Sequence, residues 1–91
     1  MKDITRGEFR RQVGEVRGKL KGSLNSVLPQ VTSEAGRELA IREYKSLLFK
    51  LSELEQYVEL ESADISVVDE MIKTLEKSVK GMTVEAFDLT I

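Results

Sequence analysis

A chain of 91 residues supports one small domain and no more. Its composition, 41% hydrophobic and 33% charged with three Phe, two Tyr and no Trp, is too apolar for wholesale disorder and ordinary for a helical protein. Histidine and cysteine are both absent, which excludes disulfides, thiol chemistry, nucleophile–histidine catalysis and the usual ligands of zinc, copper and haem.

The net charge of −2 is unevenly spread. Residues 1–30 hold seven Lys/Arg and three Asp/Glu, whereas residues 31–91 hold seven and thirteen. Two readings of this asymmetry are open: an anionic partner for the N-terminal segment, or mutual attraction of the two parts within the fold. The N-terminal stretch MKDITRGEFRRQVGE has no apolar core of the kind a signal peptide needs. No apolar run exceeds three residues, Leu47-Leu48-Phe49 being one. A cytoplasmic chain without a membrane span is expected.

Taken in chain order, Phe9, Val13, Val16, Leu20, Leu24 and Val27 recur at spacings of 4, 3, 4, 4 and 3, which predicts a helix over about residues 5–27. Within it the stretch VGEVRGKLKG repeats glycine at every fourth position, at Gly14, Gly18 and Gly22. Each such glycine costs a helix about 1 kcal/mol relative to alanine. On a helical wheel they fall, with Gly7, nearly opposite the apolar stripe, and Arg6, Arg10, Arg17 and Lys21 line the edge between. Three explanations are open. The glycines are tolerated in a helix that forms fully only when docked, or another helix lies close against the bare face. The third is that phosphates approach it, held by Arg10, Arg11, Arg17, Lys19 and Lys21. No aromatic side chain sits among these charges, so single-stranded bases would lack a stacking platform.

Pro29 disfavours helix at Leu28 and marks a connector. Thr32 or Ser33 then caps a second helix, predicted over about residues 33–61. Its seam is Ala40, Tyr44, Leu47, Leu51, Leu54 and Val58, at alternating spacings of 4 and 3, widened by Ile41 and Leu48. Phe49 and Leu60 project away from this seam, and Leu39 and Tyr57 lie to one side of it. A helix apolar over that much of its circumference is either central in a bundle or shared with a partner.

After a polar break at residues 62–66, Ile65, Val68, Met71, Ile72, Leu75 and Val79 predict a third helix over about residues 66–80. Ser66 and Asp69 have the spacing of a capping box, and Gly81 stands where a left-handed helix stop is expected. The last residues, 82–91, form an apolar tail or a further short helix begun at Thr83. Phe87, Leu89 and Ile91 alternate there with polar residues, so strand, helix and docking peptide all stay open.

Residues 51–79, LSELEQYVELESADISVVDEMIKTLEKSV, resemble the helical hairpin of the small subunit of exonuclease VII, a non-catalytic accessory chain. The match covers under a third of the chain, needs gaps around Glu59 and Val67, and omits that family's long continuation after the second helix. It implies a helical hairpin and assigns no family. The stretch AFDLTI loosely resembles the hexapeptides that dock on bacterial sliding clamps, without their leading glutamine.

The expected fold is all-α: a single domain over residues 1–91, a small three-helix bundle or a helical hairpin with an additional N-terminal helix, and oligomeric. The expected function is a non-enzymatic protein–protein interaction module, an adaptor, accessory subunit, chaperone or inhibitor. Its candidate contacts are Phe49, Tyr57, Leu60, Phe87, Leu89 and Ile91, and a homodimer is favoured. The alternative is a nucleic-acid-associated accessory factor using Arg10, Arg11, Arg17, Lys19 and Lys21. No metal, cofactor or small-molecule substrate is expected. Glu53, Glu55, Glu59 and Glu61 are spaced for a solvated helix face rather than an inward cage, and no phosphate-cradling glycine motif occurs.

Overall fold

The structure is a computed structural model and describes residues 1–88. The apolar stripes become helices: α1 is Asp3–Val27, α2 is Glu34–Val58, α3 is Ile65–Lys80 and α4 is Val84–Phe87. A single 3₁₀ turn, Leu28–Gln30, joins α1 to the connector before α2. No strand occurs among the described residues.

The three long helices pack against one another as a bundle. Arg10 of α1 pairs with Glu59, just past α2, while Arg17 pairs with Glu55 of α2. Numbers rising on one side meet numbers falling on the other, so the two helices are antiparallel. The core takes Phe9, Val13, Val16 and Leu20 from α1, Leu47, Leu51, Leu54 and Val58 from α2, and Val68, Ile72, Leu75 and Val79 from α3. Each fully buried side chain of this size contributes about 1.5–3 kcal/mol. No polar or charged residue is buried among the described residues, so the core is specified by shape alone.

Two helices of 25 residues make the molecule long, 50 × 17 × 15 Å. Its radius of gyration of 15.0 Å exceeds the about 12 Å of a compact domain this size. At 16 residues α3 is about 13 Å shorter than its neighbours and leaves one end of the hairpin open. The chain covers that end with α4. Thr83 caps it, its Oγ1 accepting from the Ala86 amide at 3.2 Å, and Phe87 packs into the core near the start of α2. Gly36, in the first turn of α2, permits the approach: a Cβ there would stand 2.0 Å from the Phe87 carbonyl oxygen. Of the alternatives for the tail, the short helix is the one adopted, over Val84–Phe87 with Thr83 as its cap. Leu89 and Ile91 lie outside the described residues.

Several local expectations are corrected. Leu28 is right-handed helical (φ −56°, ψ −44°) despite preceding Pro29, because α1 tightens directly into the 3₁₀ turn that carries the proline. Ser33 is the α2 cap, its Oγ accepting from the Gly36 amide at 3.0 Å. α2 stops at Val58, three residues before the expected end. Asp64, not Ser66, caps α3: its carboxylate accepts from the Ser66 amide at 2.9 Å and the Ser66 hydroxyl at 2.6 Å. A carboxylate is the better partner for free amides at a helix N-terminus, so Ile65 joins the helix and the Ser66–Asp69 box is not formed. Gly81 keeps a right-handed conformation (φ −74°, ψ −10°), its amide bonding back to the Lys77 and Ser78 carbonyls. The turn into buried Met82 therefore needs no left-handed residue.

Candidate functional site

Three residues of the basic edge of α1, Arg6, Arg10 and Arg17, line the α1–α2 seam. Arg6 reaches across it, its Nε donating to the Val58 carbonyl at 2.9 Å and its Nη2 to the Leu60 carbonyl at 3.3 Å. The Val58 carbonyl is the last of α2 and has no helical donor, so Arg6 caps α2 from another helix, while the Leu60 carbonyl, in the turn beyond, also accepts from the Ala63 amide at 3.2 Å. One turn on, Arg10 grips Glu59 through two hydrogen bonds of 2.6 Å in fork geometry, and Arg17 bonds to Glu55. The Arg10 guanidinium holds the Glu59 carboxyl below its usual range, and Glu59 raises Arg10 in return. Arg11 turns instead to Glu8 and Glu15 on its own helix; its hydrogen bonds lower the Glu8 carboxyl, and Glu8 raises Arg11.

Of the five side chains read as candidate anion contacts, Arg10, Arg11 and Arg17 thus face carboxylates of this chain. Lys19 and Lys21 are exposed and form no ion pair among the described residues. Attraction between the basic and acidic parts of the chain is the arrangement present at this seam. Exposed pairs of this kind contribute little to stability.

The glycines lie outside this seam or at its rim. A Cβ on Gly7, Gly14, Gly18 or Gly22 would meet nothing within 4 Å, so among the described residues no element presses on the bare face. Gly14 falls between Arg10 and Arg17, and its missing side chain opens a cleft of about 460 Å³ bounded by Val13, Glu55, Gln56 and Glu59. A second open hollow, about 430 Å³, lies between α2 and α3, lined by Lys50, Glu53, Val67, Met71 and Leu75 among others. No cluster of three or more carboxylates suited to a metal ion occurs among the described residues. The carboxyls with a resolved shift, Glu8, Glu59 and Asp64, are all held toward the charged form by hydrogen bonds; a general acid needs the reverse.

The candidate interaction residues divide. Phe49 is 65% exposed on the outer ridge of α2, with α1 and α3 both packed on that helix. Leu60 is half exposed, but it sits in the turn after α2 rather than on its face, its amide bonded to the Tyr57 carbonyl. Tyr57 is half-buried, and its hydroxyl oxygen accepts from the Asp64 amide at 2.9 Å, which pins the turn into α3. Phe87 is buried in the end cap. Phe49 is therefore separated from the others and stands apart on its ridge. Sequence reasoning overlooked Gly36, whose only signal is its place at the first turn of the second helix. It also overlooked the Arg6 contact, signalled only by a shared edge with Arg10 and Arg17.

Comparison with protein-family models, with curated proteins and with solved structures gives no match. No helix among the described residues is long and apolar enough to cross a membrane.

Proposed function

We propose that this chain is a non-enzymatic, cytoplasmic helical module that works by binding protein through the outer ridge of α2, with Phe49 as the anchor. The observation that carries this reading is Phe49 itself. Both flanks of α2 are already occupied by α1 and α3, yet its outward face carries an aromatic side chain that is 65% exposed. Aromatic anchors ringed by polar residues are the usual energetic centres of protein contacts. The ring here is Arg42, Lys45, Ser46, Glu53 and Gln56, all exposed. The nucleic-acid reading has less support, because three of its five cationic side chains are engaged with carboxylates of this chain.

The test compares baits. Wild-type protein and Phe49→Ala should unfold in urea within about 0.5 kcal/mol of each other, since the side chain packs on little. A partner retained by the wild type should be released by Phe49→Ala. Equal retention by both would remove the reading.

A further inference from the structure

The ridge around Phe49 is complementary to itself. Its exposed residues are Arg42 and Lys45 on the N-terminal side and Glu53 and Gln56 on the C-terminal side. At about 100° per residue, positions 45 and 53 lie one turn before and one turn after Phe49, offset to opposite sides by equal angles. A two-fold axis through Phe49, perpendicular to the helix, sets residue 49−n of one copy opposite residue 49+n of the other. Lys45 then faces Glu53 of the second copy, twice over by symmetry, Arg42 faces Gln56, and Ser46 faces Ser52. The two Phe49 rings meet at the axis. Among the described residues neither Lys45 nor Glu53 forms an ion pair within the chain, so both charges are available.

We infer that the partner of this ridge is a second copy of the same chain, bound antiparallel through α2 as a two-fold dimer. The inference rests on the reading of the Phe49 ridge as the contact face and adds the identity and direction of what covers it. Parallel pairing would bring Lys45 level with Lys45 and Glu53 level with Glu53 across the axis and would form no contact between opposite charges, which disfavours it. A two-fold contact uses one patch on both copies and closes at two, so one self-complementary ridge suffices. An area limited to one helix face places the dimer at the weak end of specific interfaces.

Sedimentation equilibrium at low salt, up to about 1 mM protein, reads the result. Wild type should dimerise, and Phe49→Ala should not. Lys45→Glu alone sets two carboxylates against each other at each contact, and Glu53→Lys alone sets two ammonium groups against each other; each should weaken dimerisation at least about tenfold. Mixed in equal amounts, the two variants should dimerise again. At one contact the two substituted positions then meet with opposite charges, and at the other the unaltered Glu53 of the first variant meets the unaltered Lys45 of the second. All three substitutions are on exposed positions, and circular dichroism checks that each variant keeps its helices. Dimerisation of wild type with recovery in the mixture supports the inference. Monomeric wild type at about 1 mM overturns it and leaves the bait comparison to decide whether the ridge serves another protein. Loss in both variants without recovery overturns the antiparallel register, and dimerisation indifferent to all three substitutions overturns the surface.

Discussion

α1 and α2 are equal in length, 25 residues each, and both carry glycine, but the glycines do opposite things. On α1 Gly14, Gly18 and Gly22 face open space, where a methyl group would touch nothing within 4 Å. On α2 Gly36 lies under the C-terminal turn, with Phe87 O, Ser33 Oγ and Val31 Cγ1 all within 2.8 Å of where a Cβ would be. The aromatic residues show the same contrast. Phe87 is 9% exposed because Gly36 makes room for its backbone, and Phe49 is 65% exposed because, among the described residues, no element crosses the outer ridge of α2. A residue type thus carries no fixed meaning; what crosses the face it sits on assigns its role.

Substitution separates the two kinds of glycine. Replacing Gly14, Gly18 and Gly22 together by alanine should stabilise the protein by about 3 kcal/mol, about 1 for each, since helix propensity improves and nothing clashes. Urea unfolding measures this, and destabilisation would mean that the bare face is in contact in solution. Gly36→Ala should act in the other direction, by about 2 kcal/mol. The added methyl displaces the C-terminal turn, and much of the burial of Phe87 goes with it. If Gly36→Ala proved as harmless as the α1 substitutions, the close approach of the Phe87 backbone to the first turn of α2 would be wrong.

Smaller effects test the seams at the opposite end. Tyr57→Phe leaves the Asp64 amide without its acceptor and should cost about 1 kcal/mol. Faster hydrogen exchange at the residue 64 amide would report the same loss locally. The Arg10–Glu59 pair predicts a pH dependence whose sign follows from the lowered Glu59 carboxyl. Its contribution is present above the carboxyl's unfolded-state range and is lost as pH falls through the lower folded-state value. Wild type should therefore lose more stability than Glu59→Gln on acidification below about pH 4. The difference should shrink in high salt, because the pair is exposed. Equal acid sensitivity of the two proteins would show that the pair contributes nothing.

The helices were readable because their signal is local. Buried stripes such as Phe9, Val13, Val16 and Leu20, or Leu47, Leu51, Leu54 and Val58, repeat with the helical period, and each of these residues is buried. A cap at Thr32 or Ser33 was legible too, since a cap bonds within three residues of itself, and the structure chose Ser33. Asp64 was missed because three short polar residues stand together at that break and only the backbone path chooses among them. Of the candidate contact residues, Phe49 remained on the surface, whereas Tyr57 was drawn into a hydrogen bond and Phe87 into the core. No local pattern distinguishes these outcomes.

The sequence by itself determined that the chain folds as three amphipathic helices with short connections, and that its first third is basic and the remainder acidic. Periodicity and composition are properties of neighbours along the chain. Only the tertiary structure decided that Arg6 and Arg10 close over the end of α2, that the end left open by short α3 is covered by α4, and that Phe49 stays outside. Each of those outcomes depends on which element passes over which face. That is set by helix lengths and by the antiparallel register of side chains tens of residues apart.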